Sequence, residues 1–121
     1  MYPPIFSIVS KSAAVKSAFG TDPIRIYMFG LAPEGVKHPY AVWQIVGGSP
    51  ENYLNETPNI DLFSVQIDVY GASVTAVRNG ARALRDSIEP HAHVVSWRGE
   101  SKDVETNLYR SSFDVDFWTD R

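Results

Sequence analysis

Along the first 20 residues the apolar positions Ile5, Ile8 or Val9, Val15 and Phe19 recur at roughly helical spacing. Pro3 and Pro4 preset the start and Gly20 closes the run, so the pattern predicts one helix over about 4–19. Thr21, Asp22 and Pro23 read as a turn, and residues 24–29 have the β-branched and aromatic content of a short strand ending at Gly30. After a loop holding Pro33, Gly35 and Pro39, residues 40–46 are apolar at nearly every position, which predicts a strand covered on both faces and stopped by Gly47 and Gly48. Residues 61–70 alternate cleanly. Phe63, Val65, Ile67 and Val69 fall on one face, and Ser64, Gln66, Asp68 and Tyr70 on the other.

At Ser73 the period becomes helical again. Val74, Val77, Ala81, Leu84 and Ile88 form one stripe, Ser73 caps the start and Pro90 ends it. Gly80 lies inside this second helix at a cost of about 1 kcal/mol relative to alanine, so either the helix bends there or something packs close to its backbone. Residues 92–98 read as a strand, 99–103 as a polar connection and 108–119 as a long final strand. In that strand Tyr109, Ser111, Phe113, Val115 and Phe117 share one face, while Arg110, Ser112, Asp114, Asp116 and Trp118 share the other. The order α-β-β-β-α-β-β, with hairpin-length connections, predicts an α+β fold: a mixed or mainly antiparallel sheet with two helices packed on one face, as a single domain over 1–121.

Composition narrows the function classes. The chain of 121 residues suffices for one hydrophobic core, and a net charge of −3 gives no field for gathering nucleic-acid phosphates. The absence of cysteine excludes disulfides, thiolate metal sites and thiol nucleophiles. The N-terminal residues lack a secretory signal pattern, and no stretch approaches membrane-spanning length, so a soluble protein made in the cytoplasm without a membrane partner is expected.

A search for chemistry yields no convergent set. His91 and His93 read as lying on one strand face two residues apart, without a nameable third metal ligand, and His38 sits in a Lys-His-Pro loop. Gly47, Gly48 and Ser49 lack the lysine and following helix of a phosphate-cradling loop. Asp114 and Asp116 point the same way, as a general-acid pair does, but carboxylates at that spacing more often keep a strand face solvated. No enzyme, cofactor or metal site is expected.

Other residues suggest contact surfaces instead. Arg78, Arg82 and Arg85 fall at helical spacing away from the apolar stripe of the second helix, forming either a solvated face or a charged contact with a neighbouring subunit. The segment 47–60 is long for a hairpin connection and carries Tyr53 and Leu54, which either order on binding or fold back onto their own domain. Trp118 is a large aromatic on a polar strand face.

Three segments, taken in order, carry a family resemblance: residues 38–44 (His-Pro-Tyr-Ala-Val-Trp-Gln), 63–70 (Phe-Ser-Val-Gln-Ile-Asp-Val-Tyr) and 109–115 (Tyr-Arg-Ser-Ser-Phe-Asp-Val). With helices before the first and after the second, the chain resembles the tail-terminator or tail-completion family of long-tailed phages and prophages. The resemblance spans nearly the whole length. It implies a structural virion protein whose subunits close into a ring, a homohexamer, on the head-proximal end of the tail tube. The ring ends tube polymerisation and offers a joining surface to the neck or head-completion protein, with DNA only passing through its lumen.

Ring closure joins each subunit to its neighbour through two different surfaces. The expected subunit or tube interface residues are Tyr53, Leu54, Arg78, Arg82, Arg85 and Trp118, and Asp68, Asp114 and Asp116 are acidic positions facing either an interface or the lumen. Two other readings remain. One is a neck or head-completion adaptor; the other is a small ligand-binding or enzymatic domain with Trp43, Tyr53 and His93 around an apolar pocket.

Overall fold

The computed structural model describes residues 2–21, 23–52, 54 and 56–121. Its elements in chain order are α1 (Ile5–Val9), α2 (Ala13–Phe19), β1 (Ile26–Met28), β2 (Tyr40–Pro50), β3 (Ile60–Gly71), α3 (Val74–Ile88), β4 (His93–Lys102) and β5 (Tyr109–Asp120). The fold is α+β, with five strands in one mixed sheet of order β1-β2-β3-β5-β4. β1 runs parallel to β2, and every other pairing is antiparallel.

The expected first helix is two helices. Ile5 and Val9 are one turn apart, as are Val15 and Phe19, but Val9 and Val15 are separated by six residues, which would set them roughly 240° apart around a continuous helix. A break corrects the phase, and all four side chains reach the same core at 0–1% exposure. Ser12 makes the break: its backbone is extended and its hydroxyl accepts the Val15 N–H at 3.2 Å, capping α2. Ser73 caps α3 in the same way, accepting from the Ala76 N–H at 3.1 Å.

The helices lie on one face of the sheet. Across that face run Ala41, Val69 and Ser111, then Trp43, Ile67, Phe113 and Trp97, then Ile45, Val65, Val115 and Val94 in register. Phe19, Val65, Val69, Phe113 and Val115 are fully buried, each worth about 1.5–3 kcal/mol of apolar transfer. Among the described residues, the opposite face carries no helix. Its rows are Tyr40, Tyr70, Arg110 and Ser101; Val42, Asp68, Ser112 and Gly99; and Gln44, Gln66, Asp114 and Ser96.

Two strands run well past their expected ends. Gly47 and Gly48 do not stop β2; the register shifts between Ile45 and Gly47, and the strand continues to Pro50. Gly48 has a positive φ there and no room for a Cβ against the Leu62 carbonyl, so glycine permits the irregularity that lets the hairpin lengthen. Residues 99–102 likewise belong to β4, which passes a second irregularity at Gly99, φ 115°. The connection to β5 shrinks to 103–108, where Asp103 accepts the Glu105 N–H at 3.0 Å and its own N–H bonds the Leu108 carbonyl at 2.8 Å.

Candidate assembly surfaces

β4 is an edge strand, and nearly all of its residues are exposed. Between it and α3 runs a groove of about 380 Å³ lined by Arg78, Arg82, Arg85, Trp97, Glu100 and Ser111, among others. The three arginines expected on the outer side of the helix thus flank this groove. Two of them already have acidic partners. Arg78 donates two hydrogen bonds to Glu100, Nε at 2.8 Å and Nη2 at 2.9 Å, which ties α3 to the strand edge. That guanidinium holds the Glu100 carboxyl below the usual range, and Glu100 in turn raises Arg78. Arg85 contacts Asp86 at 2.8 Å and Glu89 at 3.5 Å. Arg82 is exposed and makes no ion pair among the described residues.

Trp97, which the alternation pattern did not single out, forms part of the groove wall. Its ring lies 5.0 Å from that of Phe113, tilted by 40°, yet half of the residue remains exposed. A tryptophan inside an edge strand was the available signal. The groove continues past Arg78 and Glu100 to Lys102, whose Nζ stands 4.9 Å over the Tyr109 ring.

A second surface stands at the far end of the sheet, on the β2–β3 connection. Tyr53 lies outside the described residues; Leu54 is 90% exposed and does not fold back onto the core. The base of the connection is fixed by charge and by backbone. Arg121 pairs with Asp61 at 3.0 Å, donates to the Pro58 carbonyl at 3.0 Å and depresses the Asp61 carboxyl. Trp118 is half exposed, and its indole N–H donates to Glu51 at 3.3 Å. Trp118 therefore braces the connection at its root.

The acidic residues of the helix-free face are engaged within the subunit. Asp68 is 7% exposed because it lies on a central strand between β2 and β5. It accepts from the Ser112 hydroxyl and, at 3.0 Å, from the Gln66 amide. Asp114 binds the Arg98 guanidinium at 2.7 Å, and Asp116 accepts from the Ser64 hydroxyl at 3.0 Å. Tyr40 and Tyr70 stack on the same face at 5.1 Å; burial, ahead of neighbouring charge, raises both phenols.

The structure does not bring Trp43 and His93 together as a pocket. β2 and β4 are separated by β3 and β5, and Trp43 is on the helix side while His93, opposite Asp116, is on the other. His91 sits in the turn before β4, so the two histidines do not share a strand face. Among the described residues no group of three or more His, Cys, Asp or Glu is arranged to hold a metal, and no helix is long and apolar enough to cross a membrane.

Exposed apolar residues elsewhere mark further surface: Phe29 and Leu31 follow β1, and Val104 tops the β4–β5 turn. Known proteins supply the frame for these surfaces. No curated protein matches the chain. Among solved structures, a chain of the structure described as "Virion of native gene transfer agent (GTA) particle" superposes with a TM-score of 0.68 at 12% identity, covering 97% of this chain and 92% of that one. At that identity the likeness establishes the fold. The family described as "Tail completion protein gp17" matches residues 3–120. The chain therefore belongs to the tail completion protein gp17 family, and is a structural, non-enzymatic protein of the phage tail.

Proposed function

We propose that the chain, acting as a single domain over 1–121, closes into a homohexameric ring that caps the head-proximal end of the tail tube. The ring ends tube polymerisation and presents a joining surface to the neck or head-completion protein. The observation that carries this reading is the family match over residues 3–120. Its physical support is the placement of two exposed, chemically different surfaces at separate positions on the fold. One is the arginine-flanked α3–β4 groove, and the other is the β2–β3 connection with Leu54 at its tip and Trp118 at its root. Head-to-tail closure needs such a pair, because each subunit meets its two neighbours through different patches.

The helix-free face carries Asp68, Asp114 and Asp116, with Asp68 buried and the other two near the surface. Turned toward the lumen, this face sets Asp114 and Asp116 among Arg98 and Arg110, so passing DNA meets balanced charge, in keeping with the net charge of −3. Mass in solution, by light scattering across a range of protein and salt concentrations, tests the oligomer. A species of six subunits, or a monomer moving toward one as concentration rises, is expected; a stable dimer at all concentrations contradicts a head-to-tail hexamer.

A further inference from the structure

We propose that the β2–β3 connection of one subunit docks in the α3–β4 groove of its neighbour, with Leu54 against the Trp97 wall and Glu56 on Arg82. This rests on the ring reading above and assigns its contact. Three observations carry it.

The first is chemical fit. The groove is flanked by Arg78, Arg82 and Arg85, with Trp97 and Ala81 as apolar wall, and Arg82 has no ion-pair partner among the described residues. The connection over residues 51–59 contains Glu51 and Glu56 and no lysine, arginine or histidine. Trp118 and Arg121 fix its base, while Glu56 is exposed and has no ion pair among the described residues. Leu54 supplies the apolar residue, at 90% exposure. A guanidinium beside an aromatic wall suits a carboxylate and an apolar side chain arriving together.

The second is selection among segments. Among the exposed apolar segments of the described residues, the loop with Phe29 and Leu31 has Glu34 and Lys37 flanking it and carries no net charge to match the arginines, and the β4–β5 turn, with Val104 between Asp103 and Glu105, has Lys102 beside it. The 51–59 connection is the acidic one without a cation of its own.

The third is reach. The groove lies beside Glu100 and Ser111, while the connection begins beyond the Ile60–Asp120 pair, nine residues farther along β5. That is roughly 30 Å of strand, and a nine-residue loop reaches only about 15 Å from its base. The chain cannot fill its own groove. The occupant is a second copy, in a contact that uses different surfaces on its two sides and so propagates around a ring.

The chain has no cysteine, so paired single-cysteine variants report the contact cleanly. Asn52→Cys marks the connection, and Val74→Cys marks the start of α3 one turn before Arg78, on the continuation of the α3–β4 groove. Under assembling conditions, alone or on tail tubes, a short bismaleimide is expected to give a cross-linked dimer from the mixture of the two variants and none from either alone. Separately, Glu56→Arg and Arg82→Glu each weaken self-association by about tenfold or more, and the double reversal recovers it.

Cross-linking of one variant with itself, or normal association of both charge reversals while the wild-type chain forms rings, overturns this contact and leaves the ring reading intact. Failure of the wild-type chain to assemble either in solution or on tubes overturns both.

Discussion

A methyl group added at Gly80 would stand 2.8 Å from Cζ of Phe19 and 3.2 Å from Cγ1 of Val69, so α3 packs against α2 and β3 at the closest approach a backbone allows. The helix continues unbroken from Val74 to Ile88, and the glycine is there for contact and not for a bend. Gly80→Ala gains about 1 kcal/mol of helix propensity but forces two fully buried side chains apart, an overpacking cost of about 1–3 kcal/mol. We expect a net loss of about 1 kcal/mol in urea unfolding; a gain in stability would show that α2 yields freely.

Ser112 and Asp68 form a buried polar contact in the middle of a sheet face that has no helix over it. Ser112 is 1% exposed and its hydroxyl donates to Asp68. Ser112→Ala leaves Asp68 with the Gln66 amide and without its buried donor, and is expected to cost about 1–2 kcal/mol. Chemical unfolding of the variant at neutral pH checks this, and a neutral effect would mean that water replaces the hydroxyl at no cost.

Stability should decline at both ends of the pH scale. Arg78 and Arg121 hold the Glu100 and Asp61 carboxyls below their ordinary range. Stabilisation from a depressed carboxyl is present above its unfolded pKa, about 4, and is lost as pH falls through the lower folded value. Both pairs are exposed, so the acid effect is small. Burial raises Tyr40 and Tyr70 above their ordinary value, which makes the opposite contribution: present below about pH 10 and lost as pH rises through the higher folded value. Unfolding free energies across this range should show both flanks, and Tyr70→Phe should flatten the alkaline one. An unchanged alkaline slope in that variant would contradict the assignment.

Much of the fold is legible in residue periods. The alternation of residues 61–70 and 109–119 places Val65, Ile67, Val69, Phe113 and Val115 on the buried face where the structure has them. Breaks in regularity are what the periods hide. A capping serine at Ser12 looks like any polar helix residue until the six-residue offset between Val9 and Val15 is noticed, and glycines at 47, 48 and 99 read as stops although they sit in strands.

Burial of polar residues was hidden for a different reason. Asp68 and Ser112 alternate with the apolar core positions, and that pattern does not show that central strands shade their side chains from both sides. The arginines of α3 could be placed on a helix edge from spacing alone. That Arg78 and Arg85 are neutralised within the subunit, and that Trp97 faces the same groove, depends on strand order and on where β4 ends.

Capping of the tail tube itself tests the account most directly. Purified tail tubes that lack a terminator, incubated with this protein and free tube subunits, should keep a constant length in electron micrographs and carry a six-subunit ring at one end only. Tubes that continue to lengthen in its presence, or rings found on filled heads and not on tubes, would contradict the terminator function; the second outcome selects the neck adaptor instead.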